Sequence, residues 1–213
     1  MKEFDYSTVK DHLLYSAGRP LEMIIRDVNY KVKYVGKENI PATGPFILAA
    51  NHFQFFDPLL VGLGIKGRQV HFMAKKELFE NPVAAYFCTR LNAFPIQRGV
   101  ADMKAMRYAC KVLESGRILG IFPEGTRSET GEIGDVKRGI ITIAVKTKSD
   151  ILPAALYNED GLKKHSKTTV RFGKVIHYED LGLPERPTKN QLAAAADYVM
   201  DTIAALQAMG HGE

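Results

Sequence analysis

Apolar and polar positions follow two rhythms along the chain, and the change falls near Tyr30. Before it, apolar residues recur as Phe4, Val9, Leu13 and Leu14, then Leu21, Ile24, Ile25 and Val28. Steps of three and four residues keep side chains on one helix face, so this stretch predicts one or two amphipathic helices. Gly18-Arg19-Pro20 is a natural break between them, because proline lacks the amide proton that an interior helical turn uses. After Tyr30, short apolar runs alternate with longer amphipathic stretches. The runs predict strands at 32–35, 46–50, 70–74, 93–96, 118–122, 151–156 and 169–172. The stretches predict helices at 58–65, 82–89, 102–113, 139–147 and 189–209. In the helix at 102–113, Met103, Met106, Cys110 and Leu113 form one stripe, and Ser115-Gly116 ends it. Such a stripe reads as a core face.

Apolar runs that alternate with helices predict an α/β fold. The expected architecture is a single domain with a mostly buried mixed sheet of about seven strands flanked by helices. An N-terminal amphipathic helical segment, 1–29, precedes the sheet-bearing domain, 30–213. Pro153 sits inside the run 151–156; because proline removes a ladder donor, that strand is expected at an edge, or with its proline at its end. In sheets of this kind, ligands gather at strand ends and the loops that follow.

Composition narrows the function classes. Over 213 residues, 46% are hydrophobic and 25% charged, as in a folded domain. The net charge of +5 suits anionic partners such as lipid head groups, acidic carrier proteins or nucleic acid. No basic face interleaved with aromatics favours nucleic acid among these. Lys163, Lys164, Lys167, Arg171 and Lys174 cluster as a docking patch or a solvated hairpin face. Cys88 and Cys110 are too few for a disulfide scaffold or a four-ligand zinc site, and suit a reducing compartment. His12, His71, His165, His177 and His211 show no metal-ligand spacing, so no metal is expected. Charges interrupt the first residues, so no signal peptide is expected. The longest uncharged stretch, 39–56, is broken by Pro41, Gly44 and Pro45, so no transmembrane helix is expected either.

Candidate chemistry begins with Asn51-His52-Phe53-Gln54-Phe55-Phe56-Asp57-Pro58, where a buried strand runs into a histidine. Asp57 can cap the next helix, with Pro58 in its first turn. If the intervening segment turns back, Asp57 can fix the imidazole tautomer and leave the other nitrogen free as a base. The same pair could instead only tie a turn together. A second block, Phe122-Pro123-Glu124-Gly125-Thr126-Arg127-Ser128, follows the strand at 118–122. Its backbone amides, hydroxyls and guanidinium suit a phosphate, or it is an ordinary Pro-Gly turn. A third, Phe94-Pro95-Ile96-Gln97-Arg98-Gly99, delivers an arginine at a strand end. The chain has no Walker loop, no G-x-G-x-x-G and no G-x-S-x-G nucleophile elbow.

Taken in order, these blocks and Leu152-Pro153-Ala154 resemble the four-block signature of the glycerolipid acyltransferases, and within them the bacterial 1-acylglycerol-3-phosphate type. The resemblance runs from Tyr34 to Leu156 and includes Val35-Gly36-Lys37-Glu38-Asn39-Ile40-Pro41 and Met73-Ala74-Lys75-Lys76-Glu77-Leu78. Two positions depart from it: Gln54 stands where the family often has Ser, and Gln97 where it often has Asp. Both positions lie near the acceptor in the family pattern. The resemblance implies transfer of an acyl group from acyl-CoA or acyl carrier protein (acyl-ACP) to lysophosphatidic acid, with no bound cofactor. It implies His52 as base and Asp57 as its orienting partner. Arg127, Arg98, Glu124, Gly125 and Thr126 would serve the acceptor phosphate, and Lys75, the Gly125 N–H and Asn51 the oxyanion or its support. Long-chain substrates imply peripheral attachment at the cytoplasmic face of an anionic membrane, with the segment from Phe4 to Val28 in the interface. The alternatives are the same chemistry on glycerol 3-phosphate, a lysophospholipid or a non-glycerol alcohol or amine, or a non-catalytic lipid- or carrier-binding module.

Overall fold

Every side chain of the strand Phe46–Ala50 is buried, and successive residues serve opposite cores. Phe46, Leu48 and Ala50 pack on one face of a sheet, Ile47 and Ala49 on the other. A strand covered on both faces shows no polar alternation, which is why Phe-Ile-Leu-Ala-Ala reads as one continuous apolar run. The structure is a computed structural model that describes residues 4–128, 136–158 and 165–212.

Seven strands form one sheet: β1 (Tyr30–Val35), β2 (Phe46–Ala50), β3 (Val70–Lys75), β4 (Ala93–Ile96), β5 (Ile118–Ile121), β6 (Ile151–Asn158) and β7 (Ser166–Phe172). Their spatial order is β1-β7-β6-β2-β5-β3-β4. All neighbours are parallel except β6 and β7, which are antiparallel, so the sheet is mixed as expected. Six α-helices accompany it: α1 (Leu13–Asn29), α2 (Asp57–Gly64), α3 (Pro82–Arg90), α4 (Met103–Glu114), α5 (Gly139–Thr147) and α6 (Lys189–Ala208). Residues of α4, α5 and α6 fill one face, and α2 covers the other. The chain lays β5 between β2 and β3, then crosses β2 to form β6. The C-terminal ends of β6, β2, β5, β3 and β4 therefore line one edge, on either side of a point where the direction of winding reverses.

Three expectations need correction. Helix α1 runs unbroken through Pro20. Both Pro20 and Ser16, whose carbonyl proline leaves without a donor, are exposed, so water can take the bond. Residues 4–12, by contrast, are not helical. Phe4 and Tyr6 stack edge-on against Tyr108 of α4, and the Tyr6 hydroxyl donates to the Pro95 carbonyl at 2.9 Å. Those side chains make an extended strap on the core. Strand β6 is interior, not an edge, and Pro153 lies within it. The Pro153 carbonyl accepts from the Gly173 N–H at 2.8 Å, one residue before the β6–β7 ladder starts at Ala154 and Phe172. Its nitrogen shares that side, so the ladder loses no donor.

Helix α1 turns its apolar stripe outward. Leu13, Leu21, Ile24 and Val28 are exposed by 58–84%, while Tyr15 is buried. On the inner side, Arg19 donates to the Gly62 and Leu63 carbonyls at the end of α2. Cations at a helix C-terminus complement its dipole. The apolar stripe thus faces away from the domain. No helix among the described residues is long and apolar enough to cross a membrane.

Candidate active site

His52 stands two residues beyond β2, and β5 next door ends at Ile121. The parallel pairing of β2 and β5 sets the first and third blocks side by side. Both backbone groups of His52 are then used to join them: its N–H donates to Glu124 Oε1 at 2.8 Å, and its carbonyl accepts from the Ser128 N–H at 2.8 Å. The imidazole stacks on Phe122 with ring centroids 4.2 Å apart, and Phe122 stacks in turn on Phe72 at 5.8 Å. Gly120 makes this possible, since a Cβ there would come within 2.3 Å of the Phe72 ring.

The segment between His52 and Asp57 does turn back. Asp57 is fully buried, and its Oδ2 accepts three hydrogen bonds: from the Phe53 N–H at 2.8 Å, the Gln54 N–H at 2.7 Å and the His52 ring at Nδ1, 2.8 Å. Asp57 was expected to cap α2; it is instead the first residue of that helix, with Pro58 behind it. Its carboxylate points back over the turn, where the amides of Phe53 and Gln54 and the His52 ring meet it. A carboxylate that accepts these donors fixes the proton on Nδ1 and leaves the Nε2 lone pair directed away from it.

The other sequence-predicted residues divide into two groups. Asn51 is buried and doubly bonded to the backbone of Leu156 on β6, donating at 3.0 Å and accepting at 2.7 Å. With Nδ2 and Oδ1 both bonded to Leu156, it anchors the edge. Glu124 is likewise buried, and its Oε1 accepts from the His52 N–H. Gly125 adopts φ of 73°, and its N–H closes a turn on the Phe122 carbonyl at 3.0 Å. That amide was expected as an oxyanion donor, and the turn already occupies it. Gln54 is buried, and its side-chain amide has no hydrogen-bond partner among the described residues.

Lys75 ends β3, Arg98 follows β4, and Thr126 and Arg127 follow β5; Arg98, Thr126 and Arg127 are exposed. Arg98 and Arg127 lie close enough to act on each other. Partial burial lowers the Arg98 guanidinium from its ordinary value, Glu77 opposes this, and Arg127 adds to the lowering. Exposed Gln97 neighbours Arg98, and its N–H donates to Asp102 at 3.0 Å. The basic cluster of the hairpin does not assemble as one patch: Arg171 is buried and donates to the Gly212 carbonyl at 2.7 Å. Lys163 and Lys164 lie outside the described residues. Among the described residues, no group of three His, Cys, Asp or Glu side chains could hold a metal.

Residues 31–157 match the family model described as Acyltransferase. The chain belongs to the acyltransferase family. The 1-acyl-sn-glycerol-3-phosphate acyltransferase of Bacillus subtilis is 35% identical over 86% of this chain and 92% of that protein. The protein of the same name from Streptococcus pneumoniae is 32% identical over 80% of this chain and 66% of its own length. Among solved structures, the 1-acyl-sn-glycerophosphate acyltransferase PlsC of Thermotoga maritima superposes with a TM-score of 0.72. It matches at 22% identity over 94% of this chain and 81% of that one, which is a likeness of fold. In this acyltransferase Asp57 thus bonds the His52 ring and Glu124 its backbone N–H, while Arg98 and Arg127 are exposed. Sequence reasoning missed the role of Glu124 as a support of the histidine backbone; only the β2–β5 pairing brings them together.

Proposed function

We propose that this acyltransferase moves a fatty acyl group from an acyl thioester to the sn-2 hydroxyl of 1-acylglycerol 3-phosphate, giving phosphatidic acid. The observation that carries the reading is the 2.8 Å contact between His52 Nδ1 and Asp57 Oδ2, with the same oxygen bound by two backbone amides. His52 Nε2 takes the proton of the acceptor hydroxyl as its oxygen attacks the thioester carbonyl. Asp57 stabilises the imidazolium that forms. The tetrahedral adduct then collapses, the C–S bond breaks, and the thiolate recovers the proton from Nε2. Lys75 supplies positive charge for the developing oxyanion. Arg127 and Arg98 hold the acceptor phosphate, which two guanidiniums suit through forked, charge-assisted hydrogen bonds. The donor is acyl-CoA or acyl-ACP. The names carried by the B. subtilis and S. pneumoniae relatives support the acceptor.

The outward apolar stripe of α1 supports peripheral attachment to a membrane, with Leu13, Leu21, Ile24 and Val28 at the acyl boundary. That places the enzyme where its acceptor resides. The test is thiol release from palmitoyl-CoA and from palmitoyl-ACP, with lysophosphatidic acid as acceptor. Glycerol 3-phosphate, lysophosphatidylcholine and His52→Ala are the controls. Release that depends on lysophosphatidic acid and disappears in His52→Ala is the expected result. Turnover in His52→Ala overturns the mechanism, and release with glycerol 3-phosphate alone overturns the acceptor.

A further inference from the structure

A lysine outside the four-block pattern lies against the third block. Lys137 follows the third block at a distance in sequence, yet its N–H donates to the Pro123 carbonyl at 2.8 Å. Its stem lies along Gly125: a Cβ built on that glycine would be 3.3 Å from Lys137 Cγ and 3.9 Å from Cε. The ammonium, one bond beyond Cε, is therefore carried beside the loop that presents Thr126 and Arg127. Lys137 is exposed and forms no ion pair among the described residues. The glycine matters twice here. It takes the left-handed φ of 73°, and its missing side chain leaves the path that the lysine stem occupies.

We propose that Lys137 is a ligand of the acceptor's phosphate, acting with Arg127 and Arg98, and that it makes the site select a phosphomonoester. This rests on the function proposed above. A phosphomonoester carries about −1.5 to −2 charges at neutral pH, whereas a phosphodiester head group carries one. The Arg98 and Arg127 guanidiniums repel each other, with Glu77 acting on Arg98 in the opposite sense, and a multiply charged anion relieves that repulsion. A third cation widens the gap, since the second negative charge is what it attracts. An ammonium is a compact point charge that can follow the phosphate as it settles, while the arginine forks fix its orientation.

The experiment compares the wild type with Lys137→Met and Lys137→Arg. Lysophosphatidic acid and lysophosphatidylglycerol are the acceptors, and KM is measured separately for acceptor and donor. Lys137→Met is expected to raise KM for lysophosphatidic acid about 10- to 100-fold, the range for losing one charge-assisted hydrogen bond. KM for lysophosphatidylglycerol is expected to move far less, and Lys137→Arg to recover most of the loss. An unchanged KM for lysophosphatidic acid overturns the proposal, as does an equal loss for both acceptors. A rise confined to the donor's KM also overturns it and assigns the lysine to the donor. Calorimetric titration with glycerol 3-phosphate reads the site without turnover. Weaker binding in Lys137→Met than in wild type supports the lysine as a phosphate ligand even if lysophosphatidic acid proves not to be the acceptor. Equal binding in the two overturns it.

Discussion

The two halves of the site are built on opposite terms. Behind the reacting edge, His52, Asp57, Glu124 and Asn51 are buried or nearly so and hydrogen-bonded to neighbouring backbone or to each other. By contrast Arg98, Arg127 and Lys137, the cations proposed to meet the acceptor phosphate, are exposed. On the proposed function the first half is organised before substrate arrives, and the second is ordered by the anion it binds. A base must be held at a fixed angle to pull one proton, so its cost of ordering is met during folding. A phosphate brings its own charge and can order long cationic side chains as it binds. Substitutions behind the edge should therefore lower kcat, and substitutions of these cations should raise the acceptor's KM.

The largest effect falls on the base. His52→Ala should reduce kcat by about 10²–10⁴-fold, the usual range for a positioned general base, and Asp57→Asn should approach it by releasing the tautomer. Circular dichroism should show both variants folded. Arg127→Ala should raise the acceptor's KM about 10- to 100-fold while leaving the donor's KM in place. Glu124→Ala separates the halves most sharply because it belongs to the third block yet serves the histidine. It should lower kcat by up to about 10²-fold, since a small displacement of His52 suffices. Equal acceptor KM values in Glu124→Ala and wild type would confirm that division; a raised acceptor KM with unchanged kcat would dissolve it. Gly120→Ala reaches the same histidine through its stack. The added methyl must push the Phe72 ring, which should cost about 1–3 kcal/mol of stability and tilt the Phe122 support. Thermal unfolding alongside kcat measures both.

How much of this was legible in the sequence depended on whether a feature is local. The strands at 46–50 and 93–96 were placed to the residue, because continuous apolar runs ended by turn residues leave little choice. The His52–Asp57 pair could be named from spacing and resemblance, but not the way it closes. The carboxylate binds the amides of Phe53 and Gln54, which only the folded turn brings within its reach. The partners of Glu124, Arg171 and Asn51 lie 72, 41 and 105 residues away in sequence, beyond any periodic signal. Helix α1 shows the converse failure. Its apolar stripe was plain, but a stripe says only that a face seeks cover, not whether the domain or a membrane supplies it.

The smallest effect concerns the end of the sheet opposite the reacting edge. His71, near the start of β3, is buried, and its Nε2 lies 3.5 Å from Asp11 Oδ1 on the N-terminal strap. Arg117 holds the same carboxylate through bonds of 2.8 and 3.2 Å. Burial lowers the His71 pKa from 6.5 to about 4; Asp11 opposes this, while Arg117 and His12 add to it. Because the folded value lies below the unfolded one, the unfolded chain takes up the proton first. The neutral imidazole's contribution is whole above pH 6.5 and falls away as the pH drops to about 4. The loss is at most about 3 kcal/mol from a separation of this size. Asp11 behaves differently: burial raises its pKa, but Arg117 and His71 outweigh that and hold it below 3.8, so its share is lost only in stronger acid. Urea unfolding midpoints of the wild type should thus decline between pH 6.5 and 4, and those of His71→Gln should decline less, whatever its stability at neutral pH. The ratio of wild-type to His71→Gln activity, each normalised to folded protein, should stay constant across that range, since His71 lies at the start of its strand and His52 beyond the end of β2. A ratio that changes with the His71 titration would show that the strap end and the reacting edge are coupled across the sheet.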